Sequence, residues 1–153
     1  YPNYYEQVDT GFNFRMSEIS AALVNSQLKK LNFFVNKRNS IARTYLKFIK
    51  NPKFIFQENI KDAKSSYHLF IVKLTNQSSD QYLKIFKIFK KNKIFVNLHY
   101  KALHLNPFFE KMGFKKGQFP TSENYSYTAF SIPIFVGLGE KNIKKIISIL
   151  NNF

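Results

Sequence analysis

Gly11-Phe12-Asn13-Phe14-Arg15-Met16-Ser17-Glu18-Ile19 opens into Ala21-Ala22-Leu23 and Gln27-Leu28-Lys29-Lys30-Leu31. The stretch places a glycine, an amide and a guanidinium on a short extended segment directly before a long helix. Asn13 and Arg15 alternate with Phe12 and Phe14, so on an extended backbone they point to the same side. An Asn–Arg pair at a helix start suits an anionic oxygen, because the guanidinium fork and the amide donors both match phosphate. The same residues also fit an ordinary ion pair and a turn cap, and spacing alone favours that plainer reading.

Outward from this run, residues 17–50 carry apolar positions at three- and four-residue intervals, including Ile19, Leu23, Leu31, Phe34, Ile41, Tyr45, Phe48 and Ile49. They predict one long amphipathic helix, capped by Ser17, stopped by Asn51-Pro52 and open to a break near Asn32 or Asn36. Residues 53–62 read as irregular or weakly extended. Ser66–Leu74 alternates as a strand, 80–93 repeats as a helix, and Ile94–His99 reads as a buried strand. A short helix over 106–112, a loop over 113–120, a helix over 122–130, a strand over 131–135 and a terminal helix over 140–152 follow. This order predicts an α/β fold, a small sheet packed with helices and preceded by a long connecting helix. The expected divisions are 1–16, 17–50 and a small α/β domain over 51–153.

The 153 residues are 44% hydrophobic, enough for one substantial core. No apolar run reaches the length of a membrane span, and the first residues lack a signal-peptide pattern. The absence of cysteine excludes disulfides and thiolate chemistry, and fits a cytoplasmic protein. The chain begins mid-motif at Tyr1-Pro2-Asn3 without Met, so a fragment is expected. A net charge of +15 with 18 Phe and 9 Tyr suggests a nucleic-acid-binding module. Against it, Arg15, Arg38 and Arg43 are the only arginines, and the lysines are scattered over amphipathic segments. The excess therefore reads as solvated helix faces, with a basic patch for an anionic nucleotide-sugar as the functional version.

Candidate chemistry is sparse. His99 and Tyr100 close a strand and His104 follows on a loop, positions from which imidazole can donate to phosphate or exchange protons. A packing hydrogen bond is the plainer reading of either histidine, and the residues alone favour it. Neither lies near a carboxylate in sequence, so no metal site is expected. His68, inside an aromatic strand, reads as a core residue. The acids form no close pair, and no nucleophile elbow, Walker loop or dinucleotide fingerprint occurs.

Taken in order, the opening run resembles a signature of the DegT/DnrJ/EryC1/StrS sugar-nucleotide aminotransferases. Ser66-Tyr67-His68-Leu69-Phe70, Val96-Asn97-Leu98-His99-Tyr100 and His104-Leu105-Asn106-Pro107-Phe108-Phe109 continue the resemblance. Met112-Gly113-Phe114-Lys115-Lys116-Gly117 and Ser131-Ile132-Pro133-Ile134 complete it. The resemblance is nearest to the branch that aminates UDP-4-keto-6-deoxy-N-acetyl sugars toward pseudaminic acid. It implies the C-terminal small domain of a fold-type I transferase dependent on pyridoxal phosphate. It also implies glutamate and a UDP-linked keto-sugar as substrates, and a homodimer with shared active sites. Asn13 and Arg15 then serve the cofactor phosphate, with Arg15, His99, Tyr100 and His104 toward the sugar nucleotide. No lysine here stands in the family's Schiff-base context, so that residue is expected before residue 1 and the chain alone is expected to be inactive. Lys101-Ala102 replaces the frequent Ile-Pro, and Ser20 a frequent Gln. The rivals are a catalytically silent regulatory relative and the nucleic-acid module.

Overall fold

The computed structural model describes residues 9–12, 14–58, 60–75 and 79–153. It divides into two compact units, Tyr1–Asn32 and Phe33–Phe153. In the first, α1 (Glu18–Leu28) starts at Ser17, whose hydroxyl accepts the Ser20 N–H at 3.3 Å, while Glu18 complements the positive helix end. No residue of α1 is buried. The single helix expected over 17–50 is instead two: a turn at Lys29-Lys30, closed by the Lys30 N–H on Gln27 O, separates α1 from α2 (Leu31–Phe48). The break falls just before the asparagine where the sequence allowed one.

The second unit is built on an antiparallel four-stranded sheet in the order β1-β2-β4-β3. Its strands are β1 (Phe54–Phe56), β2 (Phe70–Leu74), β3 (Asn97–Leu98) and β4 (Ala129–Ile132). The helices are α3 (Ser79–Lys91), α4 (Pro107–Lys111), α5 (Pro120–Thr128) and α6 (Glu140–Asn151). Pairing Phe70 with Ile132 and Val72 with Phe130 sets the register, so alternate residues of both strands join one apolar face. Tyr45 and Ile49 of α2 and its exit, Ile85 and Phe89 of α3, and Ile146 and Leu150 of α6 complete that core.

Phe130 is its centre. The ring is fully buried, with ring centroids of Phe54, Tyr82, Phe86 and Phe89 at 6.3, 6.4, 6.0 and 6.4 Å. Two phenols fasten the chain around it: Tyr82 donates to Ala129 O at 3.0 Å and Tyr45 to Pro133 O at 2.8 Å. Burial pushes both hydroxyls above the ordinary phenol range, which keeps them protonated donors.

Several boundaries differ from the sequence reading, among them the strand expected over 131–135, which is β4 at Ala129–Ile132. The strand expected from Ser66 starts at Phe70, because Tyr67 adopts a left-handed φ of 43° that turns the chain. The strand expected over 94–99 shrinks to Asn97–Leu98. Both residues are exposed, since β3 is an edge strand pairing only with β4. The helix expected over 122–130 ends at Thr128, whose hydroxyl donates to Asn124 O at 2.8 Å, and Ala129-Phe130 belong to β4. Residues 54–56, expected to be at most weakly extended, form β1 against β2.

Truncating the central ring removes the contact shared by sheet and helices. Phe130→Ala is expected to lower the unfolding free energy by about 3–5 kcal/mol, measured by urea titration against the unchanged chain.

Candidate functional site

In the first unit, Gly11, Phe12, Phe14, Arg15 and Met16 precede α1 in non-helical conformation, and all are exposed. Phe12 and Phe14 rings lie 5.7 Å apart, the same-side placement that alternation demands. Arg15 projects from this segment, with no ion pair or hydrogen bond to another described residue. Asn13 lies outside the described residues.

In the second unit, β3 delivers His99 and Tyr100 to opposite environments. His99 is 9% exposed and its Nε2 lies 2.7 Å from Ser131 Oγ, on the neighbouring strand β4. Its Nδ1 is buried without a hydrogen-bond partner. Burial, reinforced by the nearby His68, lowers the His99 pKa and favours the neutral ring. Tyr100 follows through a cis peptide bond, stays 71% exposed, and sets its ring edge-on to His99 at 4.8 Å.

His104 goes elsewhere. It sits on a 3₁₀ turn at Leu103–Leu105, buried, with Nε2 at 2.8 Å from Glu123 Oε1. The same oxygen accepts the Gly117 N–H at 2.6 Å and the Phe119 N–H at 3.5 Å. Phe119 lies against the imidazole at 4.8 Å. Glu123 of α5 thus gathers the 3₁₀ turn and the loop before its own helix onto one carboxylate oxygen. The His104 hydrogen bond first, then those from Gly117 and Phe119, outweigh desolvation and hold its pKa below the usual carboxylate range.

The structure therefore brings His99 and Tyr100 together and sets His104 into a separate buried pair. His68, expected in the core, is exposed, because left-handed Tyr67 takes the core position and turns the next side chain outward. Ser131 and Glu123 escaped the sequence reading. Glu123 stands 19 residues from His104, with no local pattern linking them, whereas Ser131 carried a signal as the polar residue of an otherwise apolar strand. Among the described residues, no group of three or more His, Cys, Asp or Glu could hold a metal ion. No described helix is long and apolar enough to cross a membrane.

An antiparallel sheet packed with helices is the α/β fold of the C-terminal small domain of fold-type I transferases. Residues 1–151 match the DegT/DnrJ/EryC1/StrS aminotransferase family, and the chain belongs to it. A UDP-4-amino-4,6-dideoxy-N-acetyl-beta-L-altrosamine transaminase of Campylobacter jejuni is 33% identical over 141 residues, covering 91% of this chain and 37% of that protein. The Helicobacter pylori aminotransferase PseC, involved in pseudaminic acid biosynthesis, superposes with a TM-score of 0.82 at 28% identity, covering 96% of this chain and 40% of its own. The sugar aminotransferase Spr1654 of Streptococcus pneumoniae, in a PLP form, gives a TM-score of 0.85 at 22% identity, over 97% of this chain and 38% of its own. The chain spans 38%, 40% and 38% of the length of three further curated relatives that it matches.

The Glu123 carboxylate has a pH signature. Its folded pKa is depressed, so its stabilising effect is present above the unfolded pKa and is lost as pH falls through the folded one. Wild type is expected to exceed Glu123→Gln in urea midpoint above about pH 5, and the gap should close at more acid pH. Faster hydrogen exchange at Gly117 and Phe119 should accompany the substitution.

Proposed function

We propose that this chain is the C-terminal part of a pyridoxal-phosphate-dependent aminotransferase. It moves an amino group from glutamate to the C4 keto carbon of a UDP-4-keto-6-deoxy-N-acetyl-hexose. The observation that carries this reading is the family match along the chain, joined by the 33% identical transaminase of that name. Residues 1–16 close the large-domain part, 17–50 connect it onward, and 51–153 form the small domain. The Schiff-base lysine belongs to the portion of the enzyme outside this chain, so the chain alone is inactive.

The residues present fit the cofactor's phosphate. Arg15 is exposed, its guanidinium free for bidentate contact with an oxyanion. The amide of Asn13 supplies a second donor across a homodimer, in which each copy completes its partner's site. When bound, pyridoxal phosphate supplies the electron sink that amino transfer requires. His99, neutral and fixed by Ser131, borders the sugar cleft as an oriented ring, and exposed Tyr100 offers it a phenol. His104 contributes through the loop that its pair with Glu123 holds in place.

The whole enzyme should show a visible cofactor band that survives dialysis. Asn13→Ala and Arg15→Ala are each expected to weaken cofactor retention by about tenfold, the scale of one lost charge-assisted hydrogen bond. Retention equal to wild type in both variants would count against the assignment.

A further inference from the structure

A cavity of about 600 Å³ in the second unit opens where β2 begins and β4 ends, between the turn after α3 and the first turns of α6. Its volume falls within the usual range of small-molecule sites, and its floor is apolar. The polar lining comprises Lys93, Lys145 and His68 with Asn92, Asn97 and Asn142, besides Ser131, and the Asn92 amide is already donated to Ile88 O. None of the residues lining it is acidic. Lys145 is held over the opening by its Nζ donating to Asn92 O at 2.8 Å, which leaves further ammonium protons for a ligand.

The decisive residue is Ser131, which lines the same cavity and is only 6% exposed. Its oxygen meets His99 Nε2 at 2.7 Å, and the other ring nitrogen of His99 is buried without a partner. Of the two neutral tautomers, a proton on Nδ1 would leave a buried N–H donor unpaired, the costlier arrangement. The proton therefore sits on Nε2 and is donated to Ser131 Oγ. With its oxygen accepting from His99, the serine keeps its own O–H to donate. A buried hydroxyl donor, two ammonium groups, an imidazole and two amides, unopposed by any carboxylate, are complementary to an oxyanion.

We propose that this cavity binds a small molecule through an oxyanion group, phosphate or carboxylate, received by Ser131, Lys93 and Lys145, with its apolar part against the cavity floor. The His99–Ser131 hydrogen bond makes His99 a positioning residue for this site: it fixes the direction in which the serine donates.

The test is equilibrium dialysis of the 153-residue chain, whose unit Phe33–Phe153 encloses its own core. It uses the Arg15→Ala background, so that success or failure does not depend on the cofactor-phosphate reading. Inorganic phosphate and glutarate are the two probes, at matched ionic strength. Saturable binding of either supports the site and identifies its oxyanion class. Ser131→Ala and Lys93→Ala should each weaken that binding about tenfold, as expected for one lost hydrogen bond to a charged group. Lys61→Ala, an exposed lysine away from the cavity lining, should leave it unchanged. Failure of both probes to saturate would overturn the proposal, as would equal losses in the Lys61 and Lys93 variants. Lys93 is exposed, so its replacement keeps the test valid even where Ser131→Ala perturbs the strand.

Discussion

The antiparallel pairing of β2 with β4 is the constraint on which the second unit depends. By setting Phe70 against Ile132 and Val72 against Phe130, it turns four large apolar side chains toward the helices. The alternate residues are sent the other way, which puts Ser131 opposite Ile71 on the other face of the ladder. A slip of one residue would exchange these sets, taking Phe130 off the helix-facing side and putting the serine there. Core and candidate site are therefore two faces of one register. β3 joins at β4's free edge and carries His99 to Ser131, so the position of the imidazole is inherited from the same ladder.

Periodicity was informative where one side of an element meets a core. α3 and α6 were legible because Ile85 and Phe89, or Ile143, Ile146 and Leu150, repeat at helical intervals against exposed lysines. The same lysines bear on the charge. Lys84, Lys87, Lys90 and Lys91 of α3 and Lys141 and Lys144 of α6 are exposed, as solvated faces require. Strand limits were harder. Ala129-Phe130 suits the last turn of a helix or the first residues of a strand, and only the pairing with Val72 and Lys73 decides. The left-handed Tyr67 carried no glycine to announce it, so His68 was placed on the wrong side.

The candidate site divides in the same way. His99 was visible as a histidine at the end of a strand, because the strand is local. The Glu123 pair and the Ser131 hydrogen bond are tertiary facts, made by the loop path over 113–119 and by strand order. No spacing rule reaches across those distances. The opening run was legible through its motif, and Arg15 within it is exposed. Its helix α1 buries none of its own residues.

The two phenols around β4 have an alkaline consequence. Tyr82 and Tyr45 donate to the carbonyls of Ala129 and Pro133, bracketing the strand from outside the sheet. Burial holds both in the neutral form to higher pH than a free tyrosine. The stability tied to that difference is fully present below the unfolded tyrosine pKa, and it drains away as pH rises through the folded values. Unfolding in base must then release protons from these hydroxyls, and loss of their donated hydrogen bonds would free both ends of the strand together. Strand β4 is thereby a place where this basic, lysine-rich protein becomes sensitive to alkali.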